Sequence, residues 1–111
     1  NVIELLSEVE YEEISYNLGS KVLLMATYYE IDEVEPLYFL FESFRAYLNR
    51  HKDIPLQRRN NYKNLIKLTK KLMKVSSEDK DAIGKLKNEV SNTKGIANVE
   101  WLTEKIAELE K

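Results

Sequence analysis

Apolar residues recur at three-four spacing along almost the whole chain, and nothing alternates with period two for long enough to make a strand. Such a chain is built from helices, so its turn and capping residues set the architecture.

Residues 2–9 (VIELLSEV) carry Val2, Ile3, Leu5, Leu6 and Val9 at helical spacing, over a length too short to stand alone in water. This segment reads as the end of a helix that comes from upstream. A longer helical pattern runs from about Tyr11 to Ile31, in which Gly19-Ser20 either breaks the element or allows a close helix crossing. Asp32 with Glu35 three positions on has the form of a capping box, and Pro36 fits a first turn, so the next helix is expected from near Glu33 to about Arg50. Pro55 opens another, to Lys74. Ser76 with Asp79 predicts a cap for a helix from about Ser77 to Ser91, and Thr93-Lys94-Gly95 supplies a turn before a last helix from Ile96 to Leu109. The expected fold is all-α: five helices with short loops, the first of them possibly split.

Val22 to Tyr29, and Leu37 to Phe41 continuing through Phe44, Tyr47 and Leu48, are apolar almost all the way round. Helices of that kind are expected between neighbours. Ile83, Leu86 and Val90, and then Val99, Leu102, Ile106 and Leu109, form narrower stripes suited to outer helices with one wet face.

The 111 residues suffice for one domain and one core, and with only three Gly and two Pro the composition does not suit disorder or an all-β fold. The absence of cysteine excludes disulfides, thiolate metal sites and Cys nucleophiles, and fits a reducing cytoplasm. No apolar run approaches the roughly 20 residues of a membrane helix. The chain opens on Asn1 with no basic segment before an apolar stretch, and reads as an excised piece of a larger protein.

Few residues are candidates for chemistry. His51 is the only histidine, so Ser-His-Asp, Cys-His and multi-histidine metal sites all lack parts; beside Lys52 and Asp53 it reads as a charge at a helix C-terminus. Gly19, Gly84 and Gly95 are isolated and form no phosphate-binding loop. Glu8, Glu10, Glu12 and Glu13 lack the ligand spacing and turn glycine of a calcium loop, and read as a solvated acidic run. Most of the seven tyrosines are expected to pack in the core with hydroxyls at its edge rather than to form a recognition surface. No catalytic residue, cofactor site or metal site is expected.

Charge is strongly segregated. Residues 1–36 hold nine acids and one base, residues 37–75 hold two acids and ten bases, and the remainder nets −2. At 3.6 residues per turn, Lys63, Lys67, Lys70, Lys71 and Lys74 share an arc of about 100°, opposite Tyr62, Leu65, Thr69, Leu72 and Met73. Arg58 and Arg59 extend that basic side, making these seven residues the candidate contact surface. A nucleic-acid reading uses the helix 55–74 for phosphate contacts. The competing reading sets basic helices beside acidic ones, within the chain or across to another copy. With an overall pI of about 5.5, protein contact is preferred, nucleic acid is the alternative, and a membrane partner is not expected.

The stretch Leu24-Met25-Ala26-Thr27-Tyr28-Tyr29-Glu30-Ile31-Asp32-Glu33, followed by an aromatic-rich helix, resembles a tetratricopeptide repeat. Leu24 and Tyr28 fall where that family places its first-helix Leu and Tyr, and Asp32 falls in its tight turn. Met25, Leu37 and Phe44 are bulkier than the residues the family uses near those positions. The resemblance implies antiparallel helical hairpins stacked in a right-handed, solenoid-like array, and a scaffold that binds proteins without doing chemistry. Short loops and one shared core independently suggest stacked hairpins or a bundle. Glu100, Glu104, Lys105, Glu108 and Lys111 suggest a charged outer face, so the expected place is the C-terminal end of a helical-repeat protein. The expected role is a non-catalytic interaction or assembly module in the cytoplasm, whose partner is another protein or a second copy.

Overall fold

The computed structural model describes all of residues 1–111 as five α-helices with no strand: α1 (Val2–Glu30), α2 (Val34–Arg50), α3 (Leu56–Met73), α4 (Lys80–Asn92) and α5 (Val99–Leu109). The chain divides into two compact units, Asn1–Ala46 and Tyr47–Lys111.

In the first unit, α1 is a single helix of 29 residues, about 43 Å long at 1.5 Å per residue. The short segment 2–9 and the pattern from Tyr11 are therefore one element. Gly19 neither breaks it nor marks a close crossing, because a Cβ added there would meet nothing within 4 Å. No proline or capping residue interrupts Val9 to Glu13, so the ladder of hydrogen bonds runs through.

Asp32 has a different role from the one expected. It adopts the left-handed conformation (φ 57°), and the Glu33 N–H donates back to the Tyr28 carbonyl at 3.0 Å while the Asp32 N–H reaches Tyr29 at 3.3 Å. That pair of bonds closes α1 as a Schellman motif, with aspartate where glycine is usual. Leu18, Met25, Leu37, Leu40, Phe41 and Phe44 are this unit's buried apolar residues.

The second unit holds α3, α4 and α5, each in contact with the other two. Its core is Leu65, Ile66, Leu68 and Leu72 of α3, Ile83 and Leu86 of α4, and Leu102 and Ile106 of α5, together with Leu48 and Ile54. Thr69 is fully buried and its hydroxyl donates to the Leu65 carbonyl one turn back, at 2.7 Å, which satisfies it inside its own helix.

Helix starts in this unit follow the local chemistry closely. Pro55 precedes α3, whose first backbone bond runs from Arg59 N–H to the Pro55 carbonyl at 3.0 Å. Ser76 and Asp79 share the work before α4: the Ser76 hydroxyl accepts from Glu78 N–H at 3.2 Å, and the Asp79 carboxylate accepts from Ala82 N–H at 3.0 Å. The helix accordingly starts at Lys80 rather than at Ser77.

The last helix starts three residues later than expected. Gly95 (φ 76°) and Asn98 (φ 54°) are both left-handed, so the chain between them cannot be helical. It is held against α3 instead. The Asn64 side-chain amide donates to the Gly95 carbonyl at 2.9 Å, and Ala97 N–H donates to the Asn61 carbonyl at 3.0 Å. The left-handed φ is what favours glycine at Gly95, and a Cβ there would also displace the ends of the Asn61 and Gln57 side chains.

Three expectations about burial are corrected, the first that most tyrosines pack in the core: only Tyr47 is buried, and Tyr11 and Tyr16 are 63% and 75% exposed. Apolar runs in α1 and α2 do not lie wholly between neighbours: Leu23 is 69% exposed and Phe39 is 71% exposed. Lys105, placed on a charged outer face by its sequence, is only 7% exposed, with its ammonium 2.9 Å from the Glu108 carboxylate. Its four-carbon stem carries enough apolar surface to fill a core position while the head reaches the edge.

Candidate functional site

The basic face of α3 forms because Leu65, Leu68, Thr69 and Leu72 turn inward, which leaves the lysines on the other side. Much of it is occupied by the chain's own acceptors. Lys71 donates to both carboxylate oxygens of Glu89 on α4 at 2.6 Å, and Lys67 stands 4.0 Å from the same carboxylate. Lys63 donates to the Asn49 side-chain oxygen at 2.7 Å. Arg59 is half-buried and its Nε donates to the Ile54 carbonyl at 3.0 Å, tying α3 to the loop before it.

Arg58 and Lys70 are half-buried, and Lys74 is exposed at the end of the row. Six of the seven predicted contact residues thus lie on α3 and Lys74 is its C-cap, but at 3.6 residues per turn Arg58 falls on the side of Leu65 and Thr69 and not with the lysines. Three of them are held in ways that serve the fold: Arg59, Lys63 and Lys71. Glu89, the acid that organises the stripe, is on α4 and not in the acidic N-terminal third. Its spacing from Lys71 is 18 positions, so no local sequence rule marks it.

The boundary between the compact units also divides the charge. Asn1–Ala46 holds ten acids and two bases, a net −8, whereas Tyr47–Lys111 holds nine acids and fifteen bases, a net +6.

In the acidic unit, α1 leaves a row of large apolar side chains uncovered. Val2, Leu5, Leu6, Val9, Tyr16 and Leu23 are between 53% and 75% exposed. At 3.6 residues per turn they share one arc of about 100°, opposite buried Leu18 and Met25. Val2, Val9, Tyr16 and Leu23 are spaced by seven, which is the repeat of a helix seam. Glu8 and Glu12 border the row on one side and Glu10 on the other, with Glu13 just inside it. These four glutamates are exposed and none is paired within the chain. On α2, Phe39 is flanked in the same manner by Glu35 and Glu42, beside Tyr38.

No group of three or more His, Asp or Glu side chains is placed to hold a metal ion. His51 follows the last residue of α2, as its sequence suggests. Its ring lies on Tyr47 with centroids 4.1 Å apart, and Nδ1 is 3.8 Å from the Asp53 carboxylate. Between α4 and α5 an open groove of about 190 Å³ is lined by Val90, Ser91, Thr103 and Ile106, with the 3.0 Å Lys87–Glu110 ion pair beside it. A groove of that size falls below the range that encloses an ordinary small-molecule ligand. No helix is long and apolar enough to cross a membrane.

No family model, curated protein or solved structure matches the chain.

The uncovered α1 row was only partly legible beforehand. Its first half was visible in VIELLSEV, but the continuation through Tyr16 to Leu23 depends on α1 being unbroken.

Proposed function

We propose that this chain is a non-catalytic protein–protein interaction or assembly module built from helical hairpins, with another protein or a second copy as its partner. The observation that supports it best is the exposed apolar row of α1. Val2, Leu5, Leu6 and Val9, neighbours on one helix face and each more than half exposed, exceed the scattered exposure normal on a free surface, and an apolar patch of this kind is characteristic of contact sites. In this reading the chain stands at the C-terminal end of a tetratricopeptide-like stack in the cytoplasm; the short connections between helices support stacked hairpins, whereas α1, at 29 residues, is longer than one helix of such a repeat. The bulk at Met25, Leu37 and Phe44, each buried, would space such helices more widely than small residues do.

The second reading, a nucleic-acid-associated domain using residues 55–74, rests on the net +6 of the second unit. Against it, the central cations Lys63 and Lys71 already have acceptors in the fold.

Capture of partners from cell lysate by the full-length protein tests the first reading, with an Ile3→Glu/Leu6→Glu variant as its control. Partners held by the wild type and lost by the variant support it. Identical capture by both would remove α1 as the contact site.

A further inference from the structure

The acidic borders of the α1 row constrain what can cover it. We propose that the face formed by Val2, Leu5, Leu6, Val9 and Tyr16 docks an amphipathic helix of another polypeptide, with an apolar seam flanked by lysine and arginine. This deepens the interaction-module reading and rests on it.

A helix has no free backbone edge, so a β-strand cannot add to it, and the uncovered side chains must be matched by side chains. The seven-residue spacing of Val2, Val9, Tyr16 and Leu23 is the spacing at which one helix presents a seam to another. At Val2, Leu5, Leu6 and Val9 such a seam excludes water over about two turns. The charges beside it then decide the partner, because flanking positions meet their counterparts across the pair.

Here those positions are Glu8 and Glu12 on one side and Glu10 on the other, with Glu13 just inside the row, and no basic side chain stands among residues 1–20 to neutralise them. A second α1 would bring four more glutamates against them in a parallel pair and two in an antiparallel one, and in either orientation it offers a single base, Lys21. The basic helix of a second copy offers lysines, but its apolar residues Leu65, Leu68 and Leu72 are buried and cannot provide a seam. An anionic lipid surface would be repelled by the same glutamates. A basic amphipathic helix satisfies both the seam and its borders. The Phe39 patch on α2, bordered by Glu35 and Glu42, has the same chemistry and would also favour an aliphatic or cationic side chain.

The test uses the full chain and two labelled synthetic helical peptides of about three heptads, identical in their leucine seam and flanked either by lysine or by glutamate. Binding is read by fluorescence anisotropy at about 0.15 M salt. The lysine-flanked peptide is expected to bind at least about tenfold more tightly than its glutamate twin. Leu6→Glu/Val9→Glu should weaken it by a similar factor. That variant separates docking from bulk attraction: a peptide held by charge alone would bind the more acidic variant more tightly. Replacing Glu8, Glu10, Glu12 and Glu13 with Gln should bring the two peptides together, with helicity checked by circular dichroism.

Equal binding of the two peptides to the wild type would overturn the proposal, as would tighter binding to the Leu6→Glu/Val9→Glu variant. Self-association of the peptide-free chain that Leu6→Glu abolishes would overturn it in favour of a second copy. If α1-dependent capture from lysate persists while the peptides are not distinguished, this inference falls and the interaction module stands. If capture is also absent, both fall.

Discussion

The Lys71 ammonium lies 2.6 Å from both carboxylate oxygens of Glu89, joining the basic face of α3 to α4. Both side chains remain substantially exposed, so the pair contributes at most about 0.2–1 kcal/mol. In a double-mutant cycle by chemical denaturation, Lys71→Gln and Glu89→Gln should each destabilise by an amount in that range, with a coupling energy of the same order. Fully additive effects would show that the pair is incidental. The coupling should shrink at about 1 M salt, where exposed charges are screened.

With Lys63 and Lys71 engaged by Asn49 and Glu89, the stripe has limited capacity for phosphate. Labelled single- and double-stranded DNA and RNA, titrated at about 0.15 M salt, should bind no more tightly than the non-specific range of about 10⁻⁴ to 10⁻⁶ M. Tighter binding, lost when Lys63, Lys67, Lys70, Lys71 and Lys74 become Gln while helicity survives, would put nucleic acid first.

Phe41 and Phe44 are fully buried, whereas Lys67 is exposed and 4.0 Å from its nearest carboxylate. Phe41→Ala and Phe44→Ala should each cost about 3–5 kcal/mol in denaturant unfolding, against near zero for Lys67→Ala. Comparable losses would mean that the core is elsewhere.

Two glycines should respond in opposite directions. Gly84 is exposed inside α4 with open space around it, so Gly84→Ala should stabilise by about 0.5–1 kcal/mol. Gly95 combines a left-handed φ with the Asn61 side chain in the path of any Cβ, so Gly95→Ala should destabilise by more than about 1 kcal/mol. Thermal unfolding of the two variants measures both.

Much of the fold was legible because its signals are local. Asp32, Pro55, Asp79 and the turn around Gly95 act within a few residues of where they stand, and they put four of the five helix starts within about three positions. Asp32 marked the right turn, although it acts through its backbone conformation and not as a side-chain cap. The late start of α5 was hidden, because Asn98 takes its left-handed conformation in a segment hydrogen-bonded to Asn61 and Asn64 on α3.

What periodicity could not reveal is which apolar faces go uncovered. Leu23 and Phe39 lie in runs that read as buried, and a run of apolar residues carries no record of whether a neighbour arrives. Lys105 went the opposite way, since its charge concealed a stem long enough for the core. The candidate contact surface shows the same limit. Its helix and its residues were visible in the lysine spacing, but Glu89 and Asn49 come from other elements.

If the α1 row is where this chain meets other proteins, other polypeptides must lie within reach of it in the cell. A photo-crosslinking residue at position 6 of the full-length protein, compared in cells with the same residue at exposed position 85 on α4, measures this directly. Discrete adducts with other polypeptides are expected from position 6 and few from position 85. No adducts from position 6, or the same pattern from both, would contradict it.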